Sequence, residues 1–386
     1  MDFCGRRSVR FPDRTTAAQM DGSGRLTGLA LGLWLFGQLF LGVPLWTGIA
    51  QAGSRMVPVT EAAECRDLVE QFGPRFFMHP TRHFALIYAT DHAWALAMGR
   101  VLEETHEEFY RTFREAGFDP KPIEGRLTWV CFVSYGDFDD YARRADRMDM
   151  SWSDGYYSAR TNRVALVRPG KGSTLREGGV EASLALKASR GNSDLYPVTE
   201  SEGGEQVAAE DSIAVDESRA THELSHQLAF NSGIQKRGVM YPMWVSEGLA
   251  TSFEREATGG TGLREDNPVR RRCLIEAYRG GRLMPLEDFL TLTRLPASDP
   301  SATREIYAQA WSVFRFLFSD RREELRRYLA ALSKLEPGRR DRAAIRREIV
   351  AAFGPIDRLD VSWKAHLEKL SDQTASEEFS AGVDRR

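Results

Sequence analysis

The chain has 386 residues, 42% hydrophobic and 28% charged, with a formal net charge of −3. This is the composition of a folded globular protein, long enough for one large domain or two smaller ones. No basic face is clustered enough to bind nucleic acid, so that class of partner is not expected.

The N-terminus departs from this average. Arg6, Arg7, Arg10, Arg14 and Arg25 precede an uncharged run, "LTGLALGLWLFGQLFLGVPLWTGIAQAG", that lasts until Arg55. A basic flank, an apolar stretch and small residues at Ala50 and Ala52 match a secretory signal cleaved after Ala52. The stretch is also long enough to span a bilayer, so residues 26–50 could instead stay as an anchor. Under either reading, the rest of the chain is exported to the periplasm, the cell surface or the medium, and touches membrane only through this segment. Cys4 precedes the apolar run. Cys65, Cys131 and Cys273 are widely spaced and odd in number, which is no disulfide framework, although one bridge among them is open. No CxxC pair is present to form a structural zinc site.

After a linker at 53–75, an N-terminal α/β part is expected over 76–167. "HFALIYAT" (83–90) reads as a buried strand. A helix over 91–117 follows, with Asp91 as N-cap and Gly117 as its stop. "RLTWVCFVS" (126–134) is a second strand, rich in β-branched and aromatic residues. A short helix at "YGDFDDYARRA" and two strand pieces in 155–167, around a turn at Arg160 to Asn162, complete this part. His79, His83 and His92 fit no ligand spacing and are read as surface or turn residues.

From 168 to 214 the chain is rich in Gly, Ser and Glu and is read as a flexible insertion. Helices are then expected at 216–231, 243–257, 268–280, 303–318, 321–334, 341–353 and 361–371, with Trp311, Phe314 and Phe316 as core residues. The arginine run at 270–272 reads as a solvated helix face, and 372–386 as a disordered polar tail. The fold class is therefore α+β: a small sheet part, then a helical part over 215–371.

The chemistry lies in "THELSHQLAF" (221–230). Four residues apart on a helix, His222 and His226 sit on one face, one turn from each other, and can converge on one zinc ion. Ala220, Leu224 and Leu228 fall on the opposite face, toward the core. Glu223 lies beside the pair, placed to take a proton from a metal-bound water. "THEEFY" (105–110) begins in the same way, but Tyr110 stands where a second histidine would be. His106 is accordingly read as part of an amphipathic helix surface. A third ligand is available at Glu247, in "YPMWVSEGLATSFE" (241–254), with room for a helix end, a loop and a returning helix. Gly248 would let the two helices approach closely.

With "WVSEGLATSFE", this H-E-x-x-H resembles the gluzincin metallopeptidases, most closely the bacterial peptidase MA-like group. Trp244, Glu247, Gly248, Ala250, Phe253 and Glu254 occupy that group's W-x-x-E-G-x-A positions and the aromatic and acid that follow. The resemblance covers roughly 76–370, and "YAQAWSVFRFL" (307–317) adds to it. It implies a zincin-like fold, one zinc ion per chain held by His222, His226 and Glu247, Glu223 as general base, and a peptide or protein substrate. Tyr307 is a candidate donor to the developing oxyanion. By the same analogy, the strand at 161–167 would be an exposed edge where an extended peptide lies. The chain departs from the metzincins, having Ala229 and Ser232 in place of their Gly and His. It also departs from the thermolysin-like pattern, with Thr251 where an acid would orient a ligand histidine. The competing expectations are an idle zincin-like binding or scaffolding module at the cell envelope, and an anchored structural protein with incidental histidines.

Overall fold

The computed structural model describes residues 67, 69, 70, 72–168, 203–255, 263, 266–296 and 300–383, with side chains from 216 to 376 in the helical part. The export segment, most of the expected linker and residues 169–202 of the expected insertion lie outside the described residues. Among the described residues, no helix is long and apolar enough to cross a membrane.

The α+β expectation holds: a five-stranded sheet is followed by a helical half. The strands are β1 (Phe77–Pro80), β2 (Phe84–Tyr88), β3 (Leu127–Phe132), β4 (Gly155–Ser158) and β5 (Arg163–Val167), in spatial order β1-β2-β3-β5-β4. β2, β3 and β5 run parallel, and the outer strands β1 and β4 pair antiparallel. Parallel strands need a crossover, and α1 (His92–Glu115) supplies the one from β2 to β3. Asp91 caps α1 by accepting from the Trp94 amide at 3.0 Å, and Gly117, at φ +81°, follows its C-terminus.

Both faces of the sheet are covered, which is why its central strands read as continuous apolar runs. Phe84, Leu86, Trp129, Cys131, Val164 and Leu166 pack with α1 and with α3 (Gly203–Asn231). The alternate residues Ile87, Val130, Phe132 and Ala165 pack with Phe138 and Tyr141 of α2 (Tyr135–Tyr141). A π-helical turn, Ala142–Asp146, follows α2 and ends on the buried Asp146. That carboxylate accepts from Tyr156, Ser158 and Thr161 hydroxyls at 2.8, 2.5 and 2.7 Å, which fixes the β4–β5 turn.

The rest is helical: α4 (Met243–Thr251), α5 (Pro268–Arg279), α6 (Leu286–Leu290), α7 (Pro300–Asp320), α8 (Arg322–Leu332), α9 (Arg342–Phe353) and α10 (Ile356–Val383). Trp311, Phe314 and Phe316 are core residues, as expected.

Several expectations change. The short strand β1 and the single-turn α6 carry no period that would announce them. α3 begins at Gly203, so part of the expected insertion is helix, and α10 carries helix through Val383 into the expected tail. α4 stops at Thr251 rather than 257. The strand at 161–167 is no exposed edge: β5 lies between β3 and β4 with Val164–Val167 buried, and β4 is the outer strand. Both described cysteines, Cys131 and Cys273, are free thiols.

His106 is not on a solvated face either. Its ring stacks on His83 at 3.9 Å and lies 4.6 Å from Tyr110, and its buried Nδ1 has no hydrogen-bond partner. His83 in turn faces Glu103 at 2.6 Å. Burial and then the neighbouring His83 charge push the His106 pKa down to about 4, with Arg82 and Arg114 adding to the depression and Glu103 opposing it. A depressed histidine pKa means that the unfolded chain takes up a proton, near pH 6.5, that the folded chain refuses until about pH 4. Stability should therefore fall as the pH drops through that window, by at most about 3 kcal/mol from this residue. Denaturant unfolding of His106→Phe between pH 7 and pH 4.5 should show a shallower loss than the parent. Parallel pH profiles would contradict it.

Candidate metal centre

α3 carries both histidines, and its register against the sheet is fixed by polar side chains on its far end. Gln227 accepts from the Trp129 indole at 2.9 Å and donates to the Asn162 carbonyl at 2.9 Å. Asn231 and Asn162 exchange amide hydrogen bonds at 2.8 and 3.0 Å, joined by the Arg237 guanidinium. Asn162 sits at φ +59°, a left-handed turn position that asparagine tolerates. Ala220, Leu224 and Leu228 are fully buried, and on the opposite face His222 meets Glu247 of α4 and lies near Tyr307 of α7.

α4 returns across that face and is buried almost throughout, Trp244, Val245, Leu249 and Ala250 completely. Gly248 permits a close approach, but to α7 rather than to α3. A Cβ there would lie 2.7 Å from the Phe314 Cβ and closer still to the Ala310 carbonyl oxygen. This contact seats α4 so that the neighbouring Glu247 reaches the histidines.

His222 Nε2, His226 Nε2 and Glu247 Oε2 form a triangle with sides of 3.3, 3.3 and 3.6 Å. Ligands about 2.05 Å from a tetrahedral zinc are about 3.3 Å from one another, so the triangle matches one face of such a shell. All three residues are largely buried, and Glu247 Oε2 receives no hydrogen bond. Burial pushes the Glu247 carboxyl up. Charge on His226 and hydrogen bonding from both rings, when these are protonated, outweigh it and pull the carboxyl well below the usual range. With neutral rings, the same contacts set lone pairs against a carboxylate oxygen, and a cation between them removes the repulsion. The group can hold a metal ion.

The other expected site residues are close by. Glu223, beside His222 on α3, is buried. Tyr307, on α7, is buried with its ring 6.2 Å from that of His222.

The partner of His222 escaped the sequence reading. Thr251, at the thermolysin-like place, donates to the Glu247 carbonyl of its own helix at 2.7 Å. Glu254 does that work instead, its Oε1 lying 3.0 Å from His222 Nδ1. A signal was present in the acid three residues past the end of α4, one of the positions that the gluzincin likeness already singled out. Burial pushes the Glu254 carboxyl up, but the Arg270 charge and hydrogen bonds from His222 and Arg270 bring it down to about 2. An ionised acceptor at Nδ1 places the proton there and leaves the Nε2 lone pair facing His226 and Glu247. The solvated-face reading of the arginine run is corrected at Arg270, which is largely buried against Glu254, while Arg271 pairs with Asp266.

A buried and a half-buried imidazole with a buried carboxylate in this arrangement define a candidate metal-binding protein. A family described as a protein of unknown function, DUF1570, matches residues 216–338, a segment containing every residue of the cluster. No curated protein matches the chain.

Gly248→Ala should cost about 1–3 kcal/mol through overpacking against α7 and displace Glu247. Thermal melting should show the loss and titration a weakened metal uptake. Unchanged melting and uptake would contradict the role given to this contact.

Proposed function

We propose that this protein is an exported zinc-dependent metallopeptidase. The observation that carries the reading is the triangle of His222, His226 and Glu247, whose sides suit a tetrahedral ion and whose N2O donor set suits zinc. Its spacing on two helices agrees with the gluzincin likeness of "HELSH" and "WVSEGLA". Export rests on the basic and apolar N-terminal segment.

When bound, zinc supplies a Lewis acid that acidifies its water and polarises a scissile carbonyl. Glu223 serves as general base, taking the water proton and passing it to the leaving amine. Glu254 keeps the His222 ring and its tautomer fixed. Tyr307 lies near enough to His222 to donate its phenol proton to the oxygen that gains negative charge. Burial of these groups lowers the local dielectric, so each electrostatic contact is stronger than it would be in water. The substrate class is a peptide or protein.

The purified protein should contain one zinc per chain by elemental analysis, and His222→Ala should lose it. Glu223→Gln should keep the zinc and lower peptide-library hydrolysis by roughly 10²–10⁴-fold, the usual worth of a general base. A parent protein free of zinc would sink the proposal. Zinc-bound protein with equal hydrolysis in parent and Glu223→Gln would remove the mechanism and leave the idle binding module.

A further inference from the structure

The four donors and one cation around Glu254 go beyond what a ligand histidine needs. Oε1 accepts from Arg270 Nη2 at 2.7 Å and faces His222 Nδ1 at 3.0 Å. Oε2 accepts from Arg270 Nε at 2.9 Å and from Asn267 Nδ2 at 3.0 Å. The guanidinium thus grips both oxygens in the planar bidentate mode that a lysine cannot reproduce. The carboxylate is almost fully buried, with 3% of its side chain exposed, so these hydrogen bonds are shielded from solvent.

Asn267 and Arg270 belong to the first turn of α5. Asn267 is its N-cap, its Oδ1 accepting from the Arg270 amide at 2.9 Å, while its Nδ2 reaches Glu254 and, at 3.4 Å, the Thr251 carbonyl at the end of α4. The helix therefore presents its positive end to the same carboxylate. Arg270 also lies over the Tyr307 ring, 5.5 Å from its centroid. One side chain fixes the group behind His222 and stacks on the phenol beside it.

We infer that Arg270, assisted by Asn267, is a positioning residue of the metal centre: through Glu254 it fixes the direction in which His222 offers Nε2 to the ion. The docking of α5 and the occupancy of the centre are then linked. Metal binding tightens the hold of α5 on α4, and loosening α5 weakens metal binding. This inference rests on the metal reading of the His222, His226 and Glu247 group.

The test is zinc affinity of the full-length protein, measured by competition with a chromogenic chelator near neutral pH, alongside apo melting temperature and far-ultraviolet circular dichroism. Arg270→Met should weaken zinc binding roughly 10–100-fold, the usual effect of removing an outer partner of a metal ligand. Arg270→Lys, with charge but no fork, should fall between Arg270→Met and the parent. The visible spectrum of the cobalt-substituted protein should change in both. A purely structural role would instead lower the apo melting temperature and leave the affinity and cobalt spectrum of the folded protein as in the parent, overturning the inference. Should Arg270→Met fail to fold, Arg270→Lys and Glu254→Gln decide the matter: parent-like zinc affinity in both overturns it. A parent protein that takes up no zinc refutes the metal reading itself, whereas a zinc-binding parent with indifferent Arg270 variants refutes only this inference.

Discussion

Two carboxylates buried within a few ångströms of one imidazole are the constraint around which the helical half is organised. An ionised carboxylate in a protein interior is costly unless a charge and hydrogen bonds compensate it. Glu254 is compensated from within the chain, by the Arg270 fork and the Asn267 amide. Glu247 is not: its Oε2 lies against the two imidazole nitrogens and has no hydrogen-bond partner among the described residues. A neutral imidazole has one proton to give, and His222 directs its proton to Glu254. The two glutamates thus play different electrostatic parts, one satisfied by protein and one left with demand for a cation.

The scaffold converts that demand into geometry. α3 is registered against the sheet by side-chain amides at Gln227 and Asn231, so His222 and His226 cannot rotate away without breaking buried hydrogen bonds. α4 is held from behind by α7, at a contact with no room for a Cβ on Gly248. Past α4, the Arg255 amide donates to the Thr221 hydroxyl at 2.9 Å, tying the segment after Glu254 to the residue before His222. Phe253, between these polar contacts, packs on Phe109 and Phe113 of α1, so the apolar core and the polar cluster share a boundary. Each ligand comes from a rigid helix rather than a loop, which suits a centre that must hold its donors within tenths of an ångström.

The site draws on elements far apart in the chain. α3 gains its register from Asn162, between β4 and β5, which lies 65 residues before Gln227 in the chain. The carboxylate ligand and its neighbours come from α4, α5 and α7, which follow it. The centre therefore lies where the sheet part and the helical part meet, and its donors are placed by contacts to both.

Much was legible in the sequence because it is local. Continuous apolar runs rich in β-branched and aromatic residues marked β2 and β3, and a polar turn marked off β4 and β5. Caps at Asp91 and Gly117 bounded α1. Four-residue spacing placed His222 and His226 on one helical face, and an acid on a second helix made a third donor available. The apolar face of Ala220, Leu224 and Leu228 was also readable, since helical period alone sorts it. The four-residue β1 and the single-turn α6 are too short to carry a period and were not.

What only the tertiary structure decided was which distant groups meet. No spacing rule connects Arg270 with Glu254, Gln227 with Trp129, or Gly248 with Ala310, because each contact depends on how whole helices pack rather than on their own periodicity. The same run of arginines can be solvated or buried, and the strand at 161–167 can be edge or interior, with an identical local sequence. By itself, the sequence determined the donors and their helices, through 3.6-residue geometry. Folding decided their convergence, their burial and the Glu254–Arg270 pair behind them, because these follow from the shape of the packed core.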